Sequence, residues 1–274
     1  MRFLFWNICK KSILKEIVSL VLIEDIDVLL IAEFPNDMNP EELRKEFLCK
    51  GVKFDYIIPY FHRNKVKVYT RFRSSLITNI QDENIISAKS IYSPIIEENI
   101  TLITCHLPSK INKSEANQSE IASDIIDFIS SVENYCNHQR TIVCGDFNMN
   151  PFEEAFVKAK GFNAVMSKSI AGKKKRIVSG KEYPFFYNPM WSFFGDFGYG
   201  EVSGTMYYNT SDHINYYWNI YDQVLVRPEL IPYFDESKLN IVTNIGSVNL
   251  LSSNGLIDKT NYSDHLPIIF ELNI

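Results

Sequence analysis

Polar residues follow several short apolar runs in the 274-residue sequence. Asn7 follows FLFW, Glu33 follows LLIA, His106 follows LITC and Asp146 follows IVCG, with Asn148 two positions further on. Such runs are typical of buried strands, and the strand ends of α/β sheets commonly carry the site. Amide and carboxylate oxygens are the ligands that hard divalent cations prefer, and histidine transfers protons near neutral pH. These residue types in this pattern indicate metal-assisted attack on a phosphate ester.

Two further acidic residues lie next to later strands, one of them beside a histidine. Asp222 precedes QVLV, and Asp264 and His265 precede LPIIF. A carboxylate near an imidazole favours the charged form of the ring. Because phosphodiester cleavage depends on positioning and on charge stabilisation, a divalent ion and an imidazolium on opposite sides of the phosphate would act on both oxygens whose charge changes.

The elements that position these residues are predicted from hydrophobic periodicity and turn signals. Residues 2–7 and 28–33 are predicted strands, with a helix at 12–24 between them. A second helix is capped by Asn39 and ends near Gly51. Five closely spaced strands are predicted at 54–58, 66–70, 74–78, 86–92 and 100–105. The remaining predictions are a helix at 114–136, a strand at 141–144, a short helix capped by Asn150, long loops with one or two short strands over 161–219, and strands at 221–226, 239–242 and 266–272.

Composition and charge exclude several classes of protein. With 46% hydrophobic and 22% charged residues, the chain is neither disordered nor collagen-like. A net charge of -5 argues against coating nucleic acid or anionic membrane by bulk attraction. No run approaches the ~18 apolar residues of a spanning helix, and the first residues do not form a signal-peptide pattern. We expect a cytoplasmic protein without stable membrane association, folded as a single domain over residues 1–274.

Six short blocks resemble, in the same order, the signature blocks of the endonuclease/exonuclease/phosphatase superfamily, the deoxyribonuclease I-like group. They are FWN at 5–7, AEF at 32–34, CHLPS at 105–109, GDFN at 145–148, YDQVLV at 221–226 and SDHLP at 263–267. The resemblance covers residues 7–265. It implies an α/β fold, a four-layer sandwich in which two mixed β-sheets pack face to face with helices outside, and a metal site at one end.

The resemblance also implies roles for the matched residues. Glu33 is the expected main Mg²⁺ ligand, with Mn²⁺ as the alternative ion, Asn7 beside it, and Asp264 contributing directly or through water. Asp146, helped by Asn148, is expected to orient or deprotonate the attacking water. The alternatives are that Glu33 is a solvated strand-end carboxylate and that the two asparagines are turn or helix caps.

The histidines have corresponding implied roles. His265, held by Asp222, is expected to bind the scissile phosphate, and His106 to lie near the leaving group. Members of the superfamily specialised for abasic DNA carry a tyrosine at the position of His106, so the chain leans away from that subgroup. The alternatives are an ion pair of Asp222 with Arg227 and a core position for His106.

Two groups of basic residues are candidates for contacts with substrate phosphates. Their alternative is a solvated turn, which is common for charge runs. The residues are Arg71, Arg73, Lys173, Lys174, Lys175 and Arg176.

The residues and the resemblance together indicate a Mg²⁺-dependent hydrolase that cleaves nucleic acid by attack of water. Two alternatives remain open: a phosphatase or phosphodiesterase acting on inositol phosphates, lipid head groups or nucleotides, and a nucleic-acid-binding module without catalysis. The second would normally lack one of the acidic or imidazole groups, whereas all are present. Nothing in the sequence indicates an obligate protein partner.

Overall fold

The structure, a computed structural model, describes residues 1–109, 115–198 and 200–274, with only the backbone described for residues 115 and 116. Within these residues, two large sheets carry most of the strands. Sheet 1 runs in the spatial order β16 (Phe234–Ile241), β19 (Ile268–Leu272), β1 (Arg2–Asn7), β2 (Val28–Ala32), β4 (Val66–Thr70) and β3 (Asp55–Ile57). Sheet 2 runs β5 (Ile77–Asp82), β6 (Ile86–Ser93), β7 (Glu98–His106), β8 (Thr141–Asp146), β15 (Asp222–Val226), β12 (Phe186–Tyr187) and β9 (Ala164–Val165).

Both sheets are mixed. The pairs β1–β2 and β7–β8 are parallel, and most of the other pairs are antiparallel. Separate pairs of short antiparallel strands form within the connecting segments. They are β10 (Lys175–Val178) with β11 (Lys181–Pro184), β13 (Met206–Tyr207) with β14 (Trp218–Asn219), and β17 (Asn244–Ile245) with β18 (Val248–Asn249). The helices are α1 (Leu14–Ile23), α2 (Pro40–Cys49), α3 (Glu115–Cys136), α4 (Glu154–Val157) and α5 (Lys168–Ala171).

The two-sided burial of the central strands of sheet 2 explains why their sequences are mostly apolar. Ile142 and Val224 face the large core that sheet 2 shares with sheet 1, α1 and α2. Val143 and Leu225 face a second core, under α3. Because successive strand residues point to opposite faces, a strand covered on both sides needs apolar residues at every position. The result is the expected sandwich, in which helices cover two sheets packed face to face.

Most predicted elements are confirmed within a few residues, including the Asn39 cap of α2, whose side chain accepts from the Glu41 N–H. The predicted strand at 74–78 is wrong: a 3₁₀ turn occupies Ser74–Leu76, where the chain passes from sheet 1 to sheet 2, and the strand begins at residue 77. The segment 161–219 holds more short strands in its described part than the one or two expected. The predicted start of the third helix, Ser114, lies outside the described residues.

The predicted cap at Asn150 is also wrong. Asn150 is fully buried, its Nδ2 donates to Asn219 Oδ1 at 2.8 Å, and its Oδ1 accepts from the Ile220 N–H at 2.9 Å. The side chain therefore ties the loop after β8 to the end of β14 and the residue that follows it, and α4 begins only at Glu154. Across the described residues, no helix is both long and apolar enough to cross a membrane.

Candidate active site at the shared end of the two sheets

Strand register brings the predicted residues to one end of the sandwich. Asp146 is paired with His106 across β7 and β8, and with Asp222 across β8 and β15. In sheet 1, Asn7 ends β1 and is paired with the residue before Glu33. Asn7 Nδ2 donates to Asp146 Oδ2 at 3.0 Å, so the strand-end residues of sheet 1 contact those of sheet 2.

The turns after β1 and β2 are held in an unusual backbone conformation. Cys9, Lys10 and Glu33 have φ angles of 46°, 57° and 50°, in the left-handed region that favours glycine. The Lys10 N–H donates to the Glu33 carbonyl at 2.9 Å, which locks the two turns together. Strained backbone of this kind collects where the surrounding fold fixes functional groups. Here the three residues lie just after the strands that end at Asn7 and Ala32.

Asn7 connects the acidic groups of the two sheets. Besides its bond to Asp146, Nδ2 lies 3.5 Å from Glu33 Oε1, and Oδ1 accepts from the Cys9 N–H at 3.0 Å. An amide oxygen has two lone pairs. One lone pair of Oδ1 therefore remains for a further ligand while the amide nitrogen stays between the two carboxylates.

His265 forms the predicted pair with Asp222. Its Nδ1 lies 2.8 Å from Asp222 Oδ2, and both side chains are buried. Burial by itself lowers the pKa of His265, but the Asp222 carboxylate, with Asp146 and Asp264, raises it to about 10. The imidazole is therefore a buried cation at neutral pH. The alternative pairing of Asp222 with Arg227 does not form, because Arg227 binds Glu133 at 2.8 Å.

Ser263 fixes the turn that carries Asp264 and His265, and the role of this serine was missed in the sequence. Its hydroxyl donates to the Asn7 carbonyl at 2.6 Å and accepts from the His265 N–H at 3.1 Å. Trp6 Nε1 also donates to the His265 carbonyl, at 2.9 Å. The only signal was the position of Ser263 inside the SDHLP block. These bonds hold the turn on the end of β1.

His106 and Asp146 face each other across the site. His106 Nε2 lies 3.6 Å from Asp146 Oδ2 and 3.5 Å from Glu33 Oε1. Burial raises the pKa of the Asp146 carboxyl, and the His265 cation opposes part of that rise. Burial lowers the pKa of His106, and the charge of Asp146 opposes it. A carboxyl with a raised pKa and a neutral imidazole are suited to proton transfer near neutral pH.

Asn148 contacts Asp146 through its backbone rather than its side chain. Its N–H donates to Asp146 Oδ1 at 2.8 Å, and its side-chain Nδ2 donates to the Leu107 carbonyl at 3.0 Å. Its φ of 51° places it in the left-handed region, which asparagine tolerates better than most residues. Asn148 therefore has the turn role that was the alternative in the sequence, and its backbone N–H fixes the Asp146 carboxylate.

Two sets of groups could hold a metal ion. Asp146, Asp222 and His265 place their ligand atoms within 4.8 Å of one another. His265 already supplies a positive charge there, and its Nδ1 is engaged with Asp222. Glu33 is more accessible, with a side chain 29% exposed. We therefore favour the Glu33 side for a cation.

The residues around Glu33 fit a hard divalent ion. Burial, followed by the Asp264 carboxylate, raises the pKa of the Cys9 thiol to about 11, and Glu33 adds to the shift. Both carboxylates therefore act electrostatically on the same thiol, although they come from distant parts of the chain. With Asn7 Oδ1, these carboxylates supply oxygen donors of the kind that Mg²⁺ prefers.

The basic residues chosen from the sequence are not brought to this end of the molecule. Arg71 pairs with Asp25 and Asp27, and it follows the end of β4 that is paired with the start of β2, about 17 Å along the strands from Glu33. Arg73 is exposed two residues further on. The run 173–176 leads into the exposed β10–β11 hairpin, where Lys175 pairs with Glu182.

Other basic residues border the site instead. They line a cavity of about 560 Å³ that also includes Glu33 and His106. Four of them precede or begin β4, which is antiparallel to β2, so the start of β4 lies beside the end of β2. Finding these basic residues from the sequence would have required knowing that β4 pairs antiparallel with β2. We call this cavity the basic cleft, after Lys10, His62, Arg63, Lys65 and Lys67.

Sequence comparison gives no relatives: no protein-family model matches the chain, and no curated protein does. Solved structures share its fold. An endonuclease/exonuclease/phosphatase family protein from Bacteroides thetaiotaomicron superposes with a TM-score of 0.58 at 11% identity, covering 99% of this chain and 97% of that one. ANGEL2, a 2',3'-cyclic phosphatase, gives a TM-score of 0.57 at 15% identity, with coverage of 100% and 96%.

A third similar structure is the endonuclease domain of TRAS1, a telomere-specific non-LTR retrotransposon. Its TM-score is 0.51 at 14% identity, covering 100% of this chain and 98% of that domain. The chain therefore shares the fold of these proteins, the deoxyribonuclease I-like fold. The fold that the six sequence blocks implied is confirmed.

Proposed function

We propose that the protein is a metal-dependent phosphodiesterase that hydrolyses nucleic acid. The observation that carries this proposal is the buried His265–Asp222 pair beside Asp146, joined through Asn7 to the accessible carboxylate of Glu33. A cation, a carboxyl with a raised pKa and a set of oxygen donors for a metal ion thus meet at one end of the sandwich. Hydrolysis of a phosphate ester uses all three.

Each group has a role that follows from its geometry. His265, fixed through Nδ1, directs Nε2 as a charged donor to a phosphate oxygen, while Asp222 acts as a positioning residue. Asp146, held by Asn7 and by the Asn148 N–H, accepts the proton of the attacking water. His106 stands on the Glu33 side, where the N–H of its neutral imidazole donates a hydrogen bond to the leaving oxygen.

Mg²⁺ is the metal ion we propose, with Glu33, Asp264 and Asn7 as the groups that would hold it. When bound, such an ion supplies positive charge to a phosphate oxygen. Glu33 and Asp264 are half-buried, whereas Asp146 is almost fully buried. The metal and the water-activating carboxylate are thereby kept on separate residues.

Similar structures support a phosphoester substrate. The TRAS1 domain is an endonuclease and ANGEL2 is a 2',3'-cyclic phosphatase, and both names describe chemistry on nucleotide phosphates. A small phosphoester is the second candidate substrate, since the same fold serves both. A binding module without catalysis is disfavoured, because the acidic and imidazole groups are all present and assembled.

The first experiment is a cleavage assay. Supercoiled plasmid, linear duplex, single-stranded DNA and RNA are incubated with Mg²⁺, Mn²⁺ or EDTA. We expect metal-dependent cleavage that falls by about 10²-fold or more in His265→Ala, because a charged donor to the phosphate is lost. The matched control is His213→Ala, since His213 is an exposed histidine in the loop before β14.

The outcomes separate the two candidates. If every nucleic acid stays intact while inositol or nucleotide phosphates release phosphate in a His265-dependent manner, the site is retained and the nuclease proposal is wrong. If no phosphoester is hydrolysed by a folded protein with metal present, the proposed function is wrong altogether. Circular dichroism of both variants shows whether they are folded.

A further inference from the structure

The basic cleft opens directly beside the proposed active site. Glu33 and His106 form the part of its lining that it shares with that site. Its volume of about 560 Å³ lies within the range of small-molecule sites, and a nucleotide fits such a volume. A substrate bound at Glu33 therefore has neighbouring groups that extend into this cleft.

Charge in the cleft is strongly one-sided, although the whole chain carries a net charge of -5. Among the described residues of the lining, Glu33 is the one carboxylate. Arg63 is exposed and Lys65 is half-buried, so both are accessible to a ligand. A local cluster of cations on an acidic protein indicates an anionic ligand at this place rather than general attraction.

The segment that carries Arg63 and Lys65 is held rigidly by Asn64. This buried side chain donates to the carbonyls of Glu83 and Ile86 at 2.8 and 3.2 Å and accepts from the Val66 N–H at 3.0 Å. The bonds join the start of β4 in sheet 1 to the β5–β6 turn of sheet 2. Cations on a fixed segment lose less entropy when they bind, which favours a preorganised site.

Apolar side chains also line the cleft. Phe34, Pro35 and Met38 contribute them, from the segment between β2 and α2. Cations and apolar side chains lining one cleft match a nucleotide, whose phosphate is charged and whose base has an apolar face. An inositol phosphate, polar on all sides, would leave these apolar side chains without a partner.

We propose that the basic cleft binds a second phosphate of the substrate, that of the nucleotide next to the scissile bond, through Arg63 and Lys65. This inference rests on the proposed function and narrows it to substrates with at least two phosphates. The second phosphate belongs either to a longer strand or to the phosphorylated end of a short oligonucleotide. In both cases the contact positions the scissile phosphate without reading a base.

The test compares three substrates that differ only in the added phosphate. One is a dinucleotide with a single phosphodiester, the second is the same dinucleotide with a terminal phosphate, and the third is a trinucleotide. We expect the wild type to hydrolyse at least one extended substrate with a kcat/KM about tenfold or more above the dinucleotide. In Arg63→Gln/Lys65→Gln this ratio should fall to near one.

The matched control removes two positive charges elsewhere. Lys181→Gln/Lys238→Gln changes exposed lysines in β11 and β16, outside the cleft, and should keep the wild-type ratio. A gain with the terminal phosphate indicates recognition of strand ends, and a gain with the trinucleotide alone indicates recognition of a longer strand. Equal ratios in the wild type and the cleft variant would overturn the inference.

Binding in EDTA separates this inference from the proposed function. A short single-stranded oligonucleotide is titrated at several salt concentrations, followed by fluorescence anisotropy. We expect the cleft variant to bind more weakly and to reduce the slope of log K against log salt by about one or two. If the wild type cleaves nothing but the cleft variant binds more weakly than the wild type, the cleft inference stands and the proposed function is wrong. If the wild type cleaves nucleic acid but the cleft variant keeps the same substrate ratio and the same binding, the proposed function stands and the cleft inference is wrong.

Discussion

His265 is the residue whose charge state most affects the site. Its imidazole is buried and lies within 2.8 Å of Asp222 Oδ2. Burial opposes its charge, yet the carboxylates around it raise the pKa to about 10, above the ordinary value of 6.5. Folding therefore increases proton affinity at this position. The protonated ring stabilises the fold fully below the unfolded pKa, and that contribution is lost as the pH rises from there to about 10.

Asp222→Asn tests this linkage. The substitution removes the carboxylate that contributes most to raising the pKa, so the variant should be less stable than the wild type near neutral pH and below. The difference in the free energy of unfolding should narrow as the pH rises toward about 10. Urea unfolding in EDTA at several pH values measures it, with Asp37→Asn, an exposed carboxylate near the cleft, as the control. A difference that stays constant with pH would contradict the assignment of the charge to His265.

The same variant should lose activity while it remains folded. Asparagine at position 222 keeps the shape of the side chain but not its charge, so the imidazole is neutral over more of the pH range. Its fall in kcat should therefore be steepest on the alkaline side of the pH profile. This expectation holds only if His265 acts as a cation.

At the scale of elements, α3 is tied to sheet 2 by one buried ion pair. Arg227, just after β15, contacts both carboxylate oxygens of Glu133 in α3, at 2.8 and 3.1 Å. It also donates to the Phe185 carbonyl at 3.1 Å and lies over the Phe186 ring at 3.8 Å from the centroid. The pair is almost fully buried, so each charge depends on the other.

Removing one partner should be costly. We expect Glu133→Ala to lower the free energy of unfolding by about 3–5 kcal/mol, because it leaves the guanidinium buried without its counter-charge. The exposed pair of Lys175 with Glu182 gives the control, since Glu182→Ala should cost no more than about 1 kcal/mol. If urea unfolding gave equal losses of unfolding free energy in the two variants, burial would not make the Arg227–Glu133 pair more important for stability than the exposed pair.

At the scale of the whole molecule, the site exists only because two sheets meet. Glu33 and Asn7 come from sheet 1, Asp146 from sheet 2, and Asp264 from the turn before the last strand of sheet 1. A ligand held jointly by such distant segments binds the folded state and not the unfolded chain, so it should stabilise the whole fold.

Mg²⁺ should therefore raise the melting temperature. At a free concentration ten times Kd, the expected stabilisation is about 1.4 kcal/mol, or roughly 3 °C for a domain of this size. EDTA should reverse the shift and Glu33→Gln should abolish it, whereas Glu182→Gln, an exposed carboxylate, should keep it. Differential scanning calorimetry gives the measurement. A shift that survives in Glu33→Gln would place the ion elsewhere, with the Asp146, Asp222 and His265 group as the first alternative.

The buried strands and the residues at their ends could be predicted from the sequence because both leave a local signal. Residues 3–6, 28–32 and 142–145 carry no polar side chain except the thiol of Cys144, since both faces of those strands are covered. A polar residue at the end of such a run stands out, which is how Glu33 and Asp146 were found. The six ordered blocks added the resemblance to a family, and with it the expected pairing of His265 with Asp222.

Register, crossover and loop structure were decided only by the tertiary fold. Nothing local at residues 71–78 shows that the chain leaves one sheet for the other, so the sequence leaves Arg71 as a candidate for substrate contact, although it lies at the far end of β4. The cations of the basic cleft, Arg63 and Lys65 among them, precede a strand whose direction relative to β2 sets their position. The apolar pattern determined which residues are buried, because burial is a property of each side chain. It could not determine which strand ends meet, because that depends on contacts between residues far apart in the chain.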